Sequence, residues 1–165
     1  DGKAKMSKSL GNCIYLSDTS KEIKKKVNSM FTDPEHLQIT DPGHVEGNVV
    51  FTYLDAFSND EHFAKYLPEY ANLDEMKDHY RRGGLGDGTC KKFLFNIMEE
   101  FLQPMRERRK QYEQNIPQVY EILRKGSEAA RAEAAKTLAD VRKAMKIDYF
   151  DDADLIAEHT KKYQG

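Results

Sequence analysis

The chain opens "DGKAKMSKSLGNCIYL", residues 1–16, and two incompatible readings of it lead to two different folds. Taken from Gly2, the run Gly2-Lys3-Ala4-Lys5-Met6-Ser7-Lys8-Ser9 departs at one position from the P-loop pattern G-x-x-x-x-G-K-[ST]. A P-loop needs an apolar strand before it and a helix starting at its Lys-Ser/Thr. The departure is Ser7, whose Cβ stands where the curl around phosphate needs the freedom of glycine. Leu10-Gly11-Asn12 then ends any helix within a turn, and "CIYL" (Cys13 to Leu16) reads as a short β-branched strand instead. The P-loop reading fails.

Taken from Lys5, the same residues form Lys5-Met6-Ser7-Lys8-Ser9, with two ammonium groups three positions apart on a loop of small residues. Such lysines can swing onto a polyphosphate and draw off charge as a bond to phosphorus breaks. Phosphoryl and nucleotidyl transfers are catalysed mainly by positioning and electrostatics, and a compact charge on a long stem can follow a leaving group. Met6 serves as an apolar pin that packs the loop against the body.

Past Leu16 the chain reads as helical. Thr19 and Glu22 have capping-box spacing, Asp18 adds negative charge at the helix start, and Ile23, Val27 and Met30 share one face of "SDTSKEIKKKVNSMF". Asp33-Pro34 stops that helix. "VVFTYLDAF" mixes strand-like β-branching with a cap at Asn48 and a face of Val50, Tyr53, Leu54 and Phe57, and the helix reading is preferred. Short helices are expected at Phe63 to Leu67 and Leu73 to Tyr80, and a long one from about Thr89, kinked at Pro104. Along it Phe93, Ile97 and Phe101 read as core packing, not as a stacking platform. Pro117 suits a first helical turn, Gly126-Ser127 separates that helix from an Ala-rich one, and "DDADLIAEHTKKY" closes the chain.

Composition narrows the class. At 165 residues the chain can bury a core, and with 39% hydrophobic residues it lies outside the disordered range. No apolar run approaches the roughly 20 residues of a membrane span, and the charged start lacks a secretory h-region. Cys13 and Cys90 form no CxxC, so the chain reads as cytosolic with reduced thiols. A net charge of −2 excludes a global basic field, so any RNA contact needs local clusters. His36, His44, His62, His79 and His159 have no ligand spacing, and no structural metal is expected.

Lys5 to Ser9 resembles the signature loop of class I aminoacyl-tRNA synthetases. The wider setting, in "DGKAKMSKSLGNCIYLSD", "KKKVNSMFTDP", "DPGHVEGNVVFTYLDAF", "GGLGDG" and "RERR", is similar to the bacterial tryptophanyl branch over roughly residues 1 to 110. The resemblance implies activation of tryptophan with ATP and Mg²⁺, release of pyrophosphate, and transfer to tRNA(Trp). It assigns ATP binding to Lys5, Met6, Ser7, Lys8 and Ser9, with Lys5 and Lys8 catalytic. The implied fold is all-α: a helical bundle of the anticodon-binding type, preceded by a loop and strand remnant of a Rossmann domain. The implied division is 1–18 for the ATP-clamping loop and strand, and 19–165 for the tRNA-binding helices. A family member is a homodimer joined through its catalytic half. No His-Ile-Gly-His-type ATP motif occurs here, so the chain reads as the C-terminal piece of a longer protein, inactive alone.

Two further clusters fit RNA. A helix start near Thr89, with Asp87 before it and Lys91 and Lys92 within it, can meet phosphate or an anticodon base; equally, its glycines can be a tight interhelical connection. Arg106 and Arg109 share a helix face at i,i+3, suited to phosphate, although Glu107 and Glu113 offer them ion pairs. The rival class is a non-catalytic helical RNA-binding or protein-interaction module whose opening lysines are a solvated arm.

Overall fold

The computed structural model describes residues 5–150 and 152–164. The glycine-to-alanine start of the P-loop reading (Gly2, Lys3, Ala4) and Asp151 of the last segment lie outside them. Seven helices follow in order: α1 (Ser20–Asn28), α2 (Val49–Phe57), α3 (Asp60–Tyr66), α4 (Leu73–Arg82), α5 (Asp87–Glu113), α6 (Ile116–Ala144) and α7 (Ala153–Tyr163). The chain divides into two compact units, residues 1–110 and 111–165.

In the first unit local chemistry starts each helix. Thr19 caps α1 with the full capping box, Glu22 returning its carboxylate to the Thr19 N–H at 2.7 Å. Asn48, Asn59 and Asn72 cap α2, α3 and α4 through their side-chain oxygens. The helix reading of "VVFTYLDAF" holds because Asn48 accepts from the Val50 N–H and Val50, Phe51 and Leu54 bury completely. α1 ends at Asn28, ahead of the Asp33-Pro34 stop, where the Ser29 hydroxyl and N–H take up its last carbonyls.

The core forms around α5, which buries Cys90, Phe93, Leu94, Ile97, Met98 and Leu102. Phe63 of α3 packs on Phe93 with ring centroids 4.5 Å apart, and Phe51 of α2 packs on Tyr80 of α4 at 4.9 Å. Phe101, expected in the core, is 46% exposed, and its ring meets Phe57 edge-on. α5 runs unbroken through Pro104. Gly83 takes φ +85°, and a Cβ there would lie 2.3 Å from the Thr40 carbonyl oxygen. The glycine turn is thus a close backbone approach, which Gly84 completes by donating to the Ile39 carbonyl at 2.6 Å.

Two further expectations are corrected. Cys13 to Leu16 is not a strand, and no strand occurs among the described residues. A strand needs a neighbour for its ladder, and here the Tyr15 N–H instead donates to the Asp18 carboxylate at 2.8 Å. Gly126-Ser127 does not divide two helices, because α6 is continuous from Ile116 to Ala144. One glycine costs a helix about 1 kcal/mol. Strong helix formers surround this one, and Arg124 bridges Glu121 and Glu128 across it.

In the second unit Asn115 caps α6, Pro117 occupies its first turn, and Asp152 caps α7. Neither α6 nor α7 buries a residue. No helix is long and apolar enough to cross a membrane among the described residues.

Candidate functional site

The lysine loop is shaped by Ser7. Its N–H donates to Asn12 Oδ1 at 2.8 Å, its hydroxyl accepts from the Leu10 N–H at 3.3 Å, and that hydroxyl lies 3.2 Å from Ser9 Oγ. The Gly11 N–H closes the turn on the Lys8 carbonyl at 3.2 Å, with Gly11 at φ +63°. The Cys13 thiol reaches the Ser7 carbonyl at 3.8 Å. This local bonding leaves Lys5, Lys8 and Ser9 exposed and Ser7 half-buried.

No acidic residue occurs from Lys5 through Ser17, and among the described residues neither Lys5 nor Lys8 pairs with a carboxylate. Several other cations of the first unit are paired with carboxylates. Lys26 pairs with Asp18 at 2.5 Å, Lys65 with Glu100 at 3.0 Å, and Arg81 with both Glu46 and Asp78. Among the described residues the loop thus presents two ammonium groups without a carboxylate partner, an arrangement that attracts polyanions.

Beneath the loop lies a cavity of about 280 Å³, walled by Met6, Cys13, Met30, Phe31, Val49 and Tyr53 among others. The Tyr53 hydroxyl donates to Met6 Sδ at 3.2 Å, so the methionine pin reaches α2. At the cavity's edge Lys26 stands 4.3 Å from the Tyr15 ring centroid and holds buried Asp18, fixing the segment between loop and α1.

The RNA-contact candidates all lie on α5 but do not form one patch. Asp87 faces inward, accepting from the Tyr80 hydroxyl at 2.7 Å and lying 3.3 Å from His36 Nδ1. Burial, then the Asp87 bond, pushes the Tyr80 phenol far above its ordinary range, so it remains a donor. Lys91 donates to the Asn28 carbonyl at the end of α1 at 3.0 Å, leaving Lys92 exposed beside it. Arg106 pairs with Glu99, and Arg109 lies on the exposed surface. Helix rise separates Lys91 from Arg106 by about 22 Å. Among the described residues no group of three or more His, Cys, Asp or Glu is placed to hold a metal.

A family profile for tRNA synthetases class I (W and Y) matches residues 1–103. The chain belongs to this family. It is 55% identical over 152 residues to the tryptophan–tRNA ligase of Clostridium longisporum, covering 92% of this chain and 42% of that protein. The tryptophan–tRNA ligase of Streptococcus mutans is 51% identical over 150 residues, with 91% and 42% covered. A crystal structure of tryptophanyl-tRNA synthetase from Campylobacter jejuni, complexed with ADP and tryptophan, superposes with a TM-score of 0.65. Its identity is 25%, over 87% of this chain and 41% of that one. The chain thus spans less than half the length of these synthetases.

Tyr53, Asn12 and the Asp18–Lys26 pair were not among the site residues the sequence suggested. Asn12 carried a signal, since a polar amide two residues after Leu10 can reach back into a turn. Tyr53 carried none, being 47 positions from Met6.

Proposed function

We propose that this chain is the C-terminal part of a tryptophan–tRNA ligase, in which residues 1–18 clamp ATP and residues 19–165 bind tRNA(Trp). The observation that carries this reading is the Lys5–Ser9 loop, in a family member whose relatives of known name are tryptophan–tRNA ligases. Lys5 and Lys8 would meet the β and γ phosphates, holding their charge more strongly as pyrophosphate leaves than in bound ATP. Ser7 and Ser9 supply hydroxyls and backbone to the same anion, and Met6 anchors the loop. The loop offers no carboxylate, so it suits phosphate and not a metal ion; Mg²⁺ would enter with ATP as its substrate complex. The exposed Lys92 and Arg109 suit RNA phosphate, with Lys91, Arg106 and Asp87 shaping the helix that carries them. The whole enzyme would act as a cytoplasmic homodimer.

In a full-length ligase carrying this sequence, Lys8→Ala should slow adenylate formation about 10²–10³-fold while tryptophan binding stays unchanged. Stopped-flow activation at equal rates in variant and parent would defeat the reading. Tryptophan-dependent pyrophosphate exchange should appear in the full-length protein and not in residues 1–165 alone.

A further inference from the structure

Among the described residues, the hydrogen bonds that Ser7 and Lys8 make stay inside residues 7–13. They give the loop its shape but do not place it on the protein. Among the described residues, one hydrogen bond joins Lys5–Asn12 to a distant element: the Tyr53 hydroxyl to Met6 Sδ, 3.2 Å. We propose that Tyr53 is a positioning residue for the lysine loop, fixing its resting place through Met6 and so presenting Lys5 and Lys8 to polyphosphate.

Three features fit Tyr53 for this. Its ring stacks on Phe57 at 6.0 Å, on a helix anchored by buried Val50, Phe51 and Leu54. The thioether accepts and cannot donate, so the bond requires a protonated phenol. Burial, with the Cys13 thiol a lesser contributor, raises the Tyr53 pKa and keeps the proton on. Finally, a bond to sulfur is weak, which suits a loop that must be held yet let go when a ligand draws its lysines away. Tyr53 and Met6 also both line the cavity under the loop, which leaves space into which Met6 can shift.

This inference rests on the ligase reading for its consequence in catalysis, but its core can be tested on residues 1–165 without any activity. Trypsin cutting at Lys8–Ser9 reports how often the loop opens, with cuts in α6 as the internal reference. Tyr53→Phe keeps the ring and removes the hydroxyl; Met6→Leu keeps the volume and removes the sulfur. Each should speed the Lys8 cut about threefold to fivefold, and the double variant no further, at unchanged melting temperature. Additive effects, or a Tyr53→Phe chain cut at the parent rate, overturn the proposal.

In the full-length ligase, Tyr53→Phe should raise the KM for ATP by about twofold to fivefold and leave the KM for tryptophan unchanged. An unchanged ATP KM overturns the proposal as well. If instead Lys8→Ala proves catalytically silent, the ligase reading falls and the cleavage cycle alone decides Tyr53.

Discussion

The two units of this chain are both helical, but they hold their helices in different ways. Among the described residues every buried apolar side chain lies between Ile23 and Leu102, while in the second unit Tyr120 is 70% exposed and Phe150 82%. α1 to α4 have seven to ten residues each, too short to persist alone, so packing into one core shared with α5 sustains them. α6 is 29 residues long and rich in alanine, glutamate, lysine and arginine, with Glu121–Arg124–Glu128 and Glu133–Lys136 pairs along its surface. It stands on intrinsic propensity and local charge. Helicity alone therefore says little about where stability resides.

The largest test of that contrast is a pair of truncations. Phe63→Ala, at a site 1% exposed, should cost the first unit about 3–5 kcal/mol by urea denaturation. Leu123→Ala, 59% exposed, should change stability by less than about 0.5 kcal/mol. Similar losses at both positions would erase the distinction.

Glycines sharpen it from the other side. A Cβ at Gly43 would lie 2.3 Å from Tyr80 Cε1, whose ring is buried and bonded to Asp87, so it has nowhere to go. Gly43→Ala should destabilise by about 1–3 kcal/mol, seen as a lower melting temperature. Around Gly126 a Cβ meets nothing within 4 Å, and the residue is helical. Gly126→Ala should add about 0.5–1 kcal/mol and raise the helical circular dichroism signal. A loss of helix there would mean that α6 is interrupted after all.

The smallest effect expected is electrostatic. The His44 ring lies 2.8 Å from Asp33, whose bond and charge raise the imidazole pKa. Burial pushes the Asp33 carboxyl up, but N–H bonds from Glu35 and His44 and the imidazole itself outweigh it, and the net shift is downward. A raised histidine pKa gives stability that is full below its unfolded value and lost as pH rises through the folded one. A lowered carboxylate pKa gives stability that is full above its unfolded value and lost as pH falls through the folded one. The pair should therefore contribute most between about pH 4 and pH 6.5. In an NMR titration Asp33→Asn should return His44 toward the ordinary imidazole value; an unmoved midpoint would remove the coupling.

Much of this was legible beforehand because it is local. The Thr19–Glu22 box, the Asn48 cap and the apolar face of Ile23 and Val27 each follow from spacings of two to four residues, and each appears in the fold. Local reading fails where surroundings decide the outcome. Gly126 is outweighed by its neighbours, and apolar Cys13–Leu16 finds no strand to pair with among the described residues.

Consecutive residues alone specify the helical class, the family and the loop of paired lysines, because a motif and a helical period are local patterns. Helix packing brings Asp87 inward to Tyr80 and His36, lets Lys91 close the end of α1, and sets Met6 against Tyr53. Those contacts join residues as far as 63 positions apart. Their partners are chosen by how the helices pack and not by any pattern along the chain.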